Sequence, residues 1–510
     1  MKRERGYMFG AGGLQAMGAI AWGSMCASMA LAALLPPPAA AAEDDDVPAP
    51  ALHAAGQIEL RSIGRVRASE RIKLALLALA QDHPDVQAAR AAAESSGFDL
   101  EAAQRARYPR FKVGTSAGSS SGAGSGAAGY TALTAEARMS VIDGGFMGAR
   151  IAAAEQQSAA QGEALKTASQ QAVLDALTAY LQVQRFALKA EISQRSGAVL
   201  DELARVEQRR VDLGATGQSD LRMAASRRAS AQARQQEFAS QQADALAKFE
   251  SYFRFAPEPQ SLPALVLPPY WDIPSQAEAL RTAEAASTEL QEADRQIARA
   301  QAVVRQQEAA RWPTVDAVLS KTRDPQGILY REATRAGVEL NWNFGNGFDL
   351  QTRIQQALAD VASFEAKRET VRRSLIETTS ATWGRSQAGR ERERALREAV
   401  GEAAAAFQGR RRLLDFGRET LLNVLDAQVE YFTLLLDYVD ALFDQRTNEF
   451  RLARTAGRLW VDPQADLGWV DALFGGPGEV LPGEALGIGG EASQAEQPLV
   501  LRPALLLHAI

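Results

Sequence analysis

The chain has 510 residues, 46% hydrophobic and 23% charged, with a formal net charge of -6. That apolar content excludes an intrinsically disordered protein, and the length suffices for several domains. Three histidines (His53, His83, His508), one cysteine (Cys26) and no carboxylate pair in a pocket-like context argue against an enzyme, and the acidic balance argues against nucleic acid as a partner.

Lys2, Arg3 and Arg5 precede an apolar run from Leu14 to Leu35, followed by Pro36 to Pro38 and Ala40 to Ala42. This order predicts a secretory signal peptide over residues 1–42, cut after Ala42; a retained membrane anchor is the lesser reading. Cys26 lies inside the leader behind Met25, a poor match to a lipid-attachment signal, so the mature chain is expected to carry neither acyl group nor disulfide. Loss of Lys2, Arg3, Glu4 and Arg5 moves the formal charge from -6 to -8. Residues 43–80, acidic and Pro/Ala-rich at first, read as a lead-in, loosely ordered to about Arg67.

A first unit spans residues 81–253. Asp82, His83 and Asp85 have metal-ligand letters, but a capping residue with Pro84 in the first helical turn explains them better. An alanine-rich helix runs to Ala106 and stops before Pro109. Phe111, Val113, Thr115 and Ala117 then alternate with Lys112, Gly114, Ser116 and Gly118, which is strand spacing. Ser119 to Gly129 is a Gly/Ser loop whose Gly124, Gly126 and Gly129 have the letters of a dinucleotide fingerprint. The reading fails because a second amphipathic strand follows rather than a helix. That strand sets Leu133, Ala135, Ala137, Met139 and Val141 against Thr134, Glu136, Arg138 and Ser140. After Gly144-Gly145 comes a Pro-free helical tract from about Gly148 to Val211, roughly 95 Å long, with a packing edge at Leu174, Leu177, Leu181 and Leu188. It turns at Gly214 and returns to Phe253. Residues 254–285 read as a linker, with six prolines between Phe255 and Pro274.

A second unit, 286–460, repeats the first. Arg311-Trp312-Pro313 parallels Arg107-Tyr108-Pro109, and two strands follow. Val315, Ala317 and Leu319 face away from Thr314, Asp316 and Ser320; Ala336, Val338, Leu340, Trp342 and Phe344 face away from Arg335, Gly337, Glu339, Asn341 and Asn343. Tyr130, Tyr330 and Trp342 sit near strand ends, as aromatic residues of an interfacial belt do, and equally as ordinary core aromatics do. Beyond Gly345-Asn346-Gly347 a long helix enters Leu413 to Gln428, where Gly417 offers the left-handed helix end and Asn423 a cap for the next helix. Leu425, Val429, Phe432, Leu436, Val439 and Phe443 then form a heptad seam. Asp212-Leu213-Gly214, followed by Ser219, Asp220 and Ala224, matches Asp415-Phe416-Gly417, Asn423 and Ala427 at an offset of 203, the difference between 417 and 214. Residues 461–510 read as a low-complexity mobile tail.

One such strand fits a soluble sheet or a membrane barrel equally, but two strand pairs joined to helices of this length favour the barrel. Four strands cannot seal themselves in lipid, because their edge N–H and C=O groups would go unpaired. Two chains would give a plugged barrel of about eight strands, whereas three give about twelve and a lumen. The expected fold is therefore a mixed α+β membrane protein: a homotrimeric 12-stranded β-barrel, four strands per chain, continued by a long α-helical coiled-coil barrel.

From Gln81 to Trp460 the order of these elements resembles the TolC family of outer-membrane efflux and secretion ducts, most closely over Gly417 to Gln428 and the following seam. The resemblance implies a cell outer-membrane location with a large periplasmic helical part, and a periplasmic lead-in over 43–80. It also implies an inner-membrane ABC transporter or other pump, a periplasmic adaptor, contact with outer-membrane lipid, and no cofactor. In the family, acidic rings narrow the periplasmic mouth. Asp426 matches one ring position and Asn423 stands at the other, which implies three carboxylates instead of six. Ser219 and Asp220 match one side of a polar latch; the partner positions hold Leu414 and Glu419 where tyrosine and arginine are typical, with Arg418 as a substitute. Gly214 and Gly417 are the hairpin turns. Asp220 and Asn423 read equally well as helix caps. Type I protein secretion is the favoured function, with drug or metal efflux second and a periplasmic coiled-coil adaptor or scaffold as the reading from another class.

Overall fold

The computed structural model describes residues 65–120, 128–214, 217–257, 262–323, 333–343, 349–461 and 468–474. The leader, the centre of the Gly/Ser loop and Tyr330 lie outside these residues, as does the side chain of Tyr130.

Alternating apolar and polar residues produce four strands, β1 (Arg110–Ser120), β2 (Ala128–Ile142), β3 (Thr314–Arg323) and β4 (Ala333–Asn341). They form one antiparallel sheet in the order β1-β2-β3-β4. The register aligns like with like: Phe111, Ala137, Leu319 and Ala336 share one row, and Lys112, Glu136, Ser320 and Arg335 another. One face is therefore apolar across both repeats, except for Lys321 and Arg323 at the far end of β3, and the other is charged. A bulge between Ser140 and Ile142 inserts Val141, so Ile142 rather than Val141 carries the apolar row onward to Val315 and Leu340. Phe111, Val113, Val338 and Leu340 are each more than 60% exposed in the single chain, and among the described residues β1 and β4 have no outer strand partner.

Each strand pair runs into a long helix, α3 (Phe146–Asp212, 67 residues) and α7 (Leu350–Asp415, 66 residues), each about 100 Å at 1.5 Å per residue. Asp143 organises the first junction. Its carboxylate accepts from the Gly145 and Met147 backbone N–H groups at 3.0 and 2.6 Å, while Gly144 and Gly145 adopt φ of 62° and 91°. An added Cβ on Gly144 would lie 2.8 Å from Trp312 Cβ, so a side chain is excluded there by space as well as by backbone.

Two shorter helices return, α4 (Gln218–Phe253) and α8 (Leu421–Thr455), while α2 (Pro84–Arg105) and α6 (Thr288–Ala309) lead into the strand pairs. His83 caps α2 by accepting from the Asp85 N–H at 3.3 Å, and its ring stacks on Tyr252, which accounts for the letters around Pro84. On α3, Leu174, Leu177, Leu181 and Leu188 are all buried. On α8 the seam holds Leu425, Phe432, Val439 and Phe443 buried, with Val429 and Leu436 partly so. A second stripe, Val424, Gln428, Tyr431, Leu435 and Tyr438, is buried as well, because α8 packs on both α7 and α3.

Three stretches differ from the sequence reading. The lead-in drawn over 43–80 is helical from Arg65: α1 (Arg65–Asp82) buries Ile72, Leu76 and Leu79 at i, i+4, i+7 against α3 and α4. The linker drawn over 254–285 contains α5 (Gln276–Ala286), capped by Ser275, and its proline segment straps onto the core. Leu262, Leu265 and Trp271 are buried, the Tyr180 hydroxyl donates to the Pro263 carbonyl at 2.5 Å, and Gln184 Nε2 donates to the same oxygen at 2.9 Å. Burial holds the Tyr180 phenol well above its ordinary pKa, so it stays a donor. The tail drawn over 461–510 contributes α9 (Gly468–Leu473), whose Val470 and Leu473 are fully buried. Its end pairs with the strap through a 2.9 Å hydrogen bond from Val266 N–H to the Leu473 carbonyl. Tyr180, Phe249, Phe253 and Phe474 converge here, with Phe249 and Phe253 stacked at 4.2 Å. Full burial of each such side chain stabilises by roughly 1.5–3 kcal/mol.

Candidate functional site at the hairpin end

Both hairpins turn on a left-handed glycine. Gly214 has φ 71° and donates to the Val211 carbonyl at 2.9 Å; Gly417 has φ 68° and donates to the Leu414 carbonyl at 2.9 Å. Arg418 N–H adds a 2.8 Å bond to the Leu413 carbonyl, completing a double C-terminal cap on α7. These turns leave Leu213 and Phe416 at the tips, 84% and 78% exposed.

The cap of α8 is Thr420, whose hydroxyl accepts from the Asn423 N–H at 3.4 Å; Asn423 itself is inside the helix and does not cap it. Its side-chain amide donates to Glu419 Oε1 at 2.6 Å, and the Thr420 N–H donates to the same oxygen at 3.0 Å. The Asn423 hydrogen bond, then that of Thr420, holds the Glu419 carboxyl below its usual range. Glu419 is thus engaged inside its own turn. The Leu414 side chain is buried in the core and has no polar group with which to form a latch. Asp220 lies in the first turn of α4 while Gly217 occupies the cap position without a side-chain bond; the Ser219 hydroxyl donates to Asp220 Oδ1 at 3.3 Å. Arg418 is exposed.

The links that do join the two hairpins lie further in. Arg227 Nη2 on α4 donates to Asp426 Oδ1 on α8 at 3.0 Å, and Arg411 on α7 reaches Glu202 on α3 at 2.6 Å. Deeper still, Asp440 on α8 is gripped by Arg185 at 2.7 Å and Lys189 at 3.0 Å from α3. Sequence reasoning singled out Asp426 but missed Arg227, 199 residues away, because only the packing of α4 beside α8 brings them together. It also missed Glu430, which is exposed one turn beyond Asp426, so Asn423, Asp426 and Glu430 form one exposed polar stripe along α8.

At the sheet end, Arg138 on the charged face contacts Glu136 at 3.0 Å, Glu339 at 3.0 Å and Asp316 at 3.6 Å, drawing β2, β3 and β4 into one network. A charged interior with an apolar exterior is the pattern of a membrane barrel wall.

Comparison with known proteins agrees with this architecture. The Outer membrane efflux protein family matches residues 76–252 and 279–458, one match over each repeat. Outer membrane efflux protein BepC of Brucella suis biovar 1 is 24% identical over 316 residues, covering 61% of this chain and 69% of its own. Among solved structures, the outer-membrane channel OprN superposes with a TM-score of 0.68 at 17% identity, covering 81% of this chain and 96% of its own. VceC of Vibrio cholerae gives 0.66 at 17%, covering 75% and 95%, and the open state of the Neisseria gonorrhoeae MtrE channel gives 0.66 at 15%, covering 80% and 96%. The chain therefore belongs to the outer membrane efflux protein family, whose trimeric channels set a β-barrel in the outer membrane above a periplasmic helical barrel.

Proposed function

We propose that the chain is the exit duct of a tripartite exporter, moving cargo passively while an inner-membrane pump supplies the energy through a periplasmic adaptor. The observation that carries this is the division of the molecule. A four-stranded sheet with an exposed apolar face continues into helices of about 100 Å, a length no single globular core needs. The exposed Leu213 and Phe416 at the tips offer the adaptor two apolar anchors.

In this reading the hairpin end is the gate. Asp426, with Glu430 behind it and Asn423 before it, lines the narrow mouth, and the Arg227–Asp426 pair ties the α7–α8 hairpin to the α3–α4 hairpin. Gly214, Ser219, Asp220, Gly417, Arg418 and Glu419 shape the two turns, and among the described residues they form no bond from one turn to the other. The latch thus uses the constriction carboxylate itself.

For cargo, the favoured reading is a protein delivered by an ABC transporter, supported by the resemblance of the segments at Gln81 and Gly417 to type I secretion ducts. Drug or metal efflux is the second reading, and the description of BepC as an outer membrane efflux protein supports efflux without naming a cargo. Deleting the gene separates them. Loss of a large polypeptide from the medium supports secretion, and increased drug or metal sensitivity with an unchanged set of secreted proteins supports efflux. If neither changes, the exit-duct reading fails.

A further inference from the structure

The outward, apolar face of the sheet is not uniformly apolar. Position parity places Phe111, Val113, Leu133, Ala135, Leu319, Val338 and Leu340 on it, and it also places there Lys321 and Arg323, at the far end of β3. Both are exposed, and neither forms an ion pair among the described residues. No described carboxylate shares that face; Glu136, Asp316 and Glu339 all point the other way, toward Arg138. Two unpaired cations two residues apart stand roughly 7 Å from one another on a strand, within reach of one phosphate or two neighbouring ones.

Their height on the barrel is what gives them a partner. Tyr108 and Trp312, 72% and 65% exposed, mark the sheet's junction with the helices, where interfacial aromatics belong. Lys321 lies nine positions beyond Trp312, roughly 30 Å along the strand. At the usual tilt of about 40° this is a rise of roughly 23 Å, and Arg323 reaches roughly 28 Å, against an apolar belt about 25 Å tall. The two cations therefore straddle the outer border of that belt. Thr334, opposite Lys321, and Thr115, in the row of Arg323, place hydroxyls beside them.

We propose that Lys321 and Arg323 form a binding site for the phosphate groups of the outer-leaflet glycolipid, one site per chain on the outside of the barrel. The side chains bury their stems against the apolar rows and direct their charge to the phosphates, so the site fixes the depth of the barrel in the outer leaflet.

The proposal rests on the barrel placement and is tested on the full chain purified in detergent, by native mass spectrometry. The probe is a bisphosphorylated acylated glucosamine disaccharide, compared with its dephosphorylated form. The wild type is expected to retain the phosphorylated lipid and to hold the dephosphorylated one weakly. Lys321→Gln with Arg323→Gln should weaken retention of the phosphorylated lipid about twenty-five-fold, at about fivefold per cation. Lys112→Gln with Arg335→Gln, on the inward face, should leave it unchanged. Equal retention of both lipids by the wild type, or undiminished retention by the outward double variant, overturns the site. If that variant does not assemble, the two lipids on the wild type and the single Lys321→Gln decide. A wild type that is a monomer without detergent refutes the barrel placement itself, a result distinct from a detergent-bound trimer that binds neither lipid, which refutes only the site.

Discussion

If the Arg227–Asp426 pair holds the mouth shut, cutting it must raise the open-state occupancy by an amount the geometry limits. The ions are 3.0 Å apart and their side chains are 35% and 52% exposed. Pairs this exposed contribute about 0.2–1 kcal/mol. One link is too weak to gate anything, but three copies released together amount to about 0.6–3 kcal/mol, or a factor of about 3 to about 150 in occupancy. Single-channel recording in planar bilayers reads this directly for Arg227→Gln, Asp426→Asn and the double variant. Each single change should raise occupancy by a similar factor, and the double variant should go no further, because all three remove the same contact. The effect should shrink as salt rises from 0.01 to 1 M and the Debye length falls from about 30 to about 3 Å. Selectivity provides an independent arm: Arg227→Gln frees the carboxylate and should increase cation preference, whereas Asp426→Asn should decrease it. A double variant equal to the product of the singles, or an effect indifferent to salt, would refute the latch.

Two further predictions concern the scaffold. Gly144→Ala should destabilise the chain by more than Gly145→Ala, since both adopt positive φ at about 1–2 kcal/mol each but only Gly144 also meets Trp312; thermal unfolding in detergent checks the order, and equal losses would remove the steric argument. Burial pushes the Tyr431 phenol up to about 12 from 10, a folded pKa above the unfolded one. Its contribution is present below pH 10 and is lost as pH rises through about 12, so absorbance at 295 nm should show a late phenolate step that Tyr431→Phe removes.

What the sequence revealed and what it hid divide along a physical line. Period-two alternation in Phe111–Ala117 and Ala336–Leu340 gave the strands because each residue's face is fixed by its own position, while the bulge at Val141 escaped because it depends on what β3 places opposite. Gly214 and Gly417 were legible as turns because their left-handed backbone is a local demand. The helix α1 carried its own signal in Ile72, Leu76 and Leu79, obscured by the featureless stretch before it. By contrast, α9 is only six residues long, and its place depends on Leu265, Trp271 and Tyr180, which come from distant parts of the chain.

The same distinction governs the candidate gate. Reading ring positions one by one assigns α8 a single carboxylate, Asp426, and an asparagine. The helix, however, is packed on two sides, with Leu425 and Phe432 on one stripe and Val424, Tyr431 and Leu435 on the other. Only one stripe remains for solvent, and along it the helical period places Asn423, Asp426 and Glu430 in sequence. Which groups can face a pore is therefore decided by what the core removes from view. In the proposed gate, that stripe presents two acids per chain, Asp426 and Glu430, the first of them paired with Arg227. If this stripe lines the mouth, as proposed, Arg227, which pairs with the first acid while joining the hairpins, controls both how firmly the mouth closes and how strongly it favours cations.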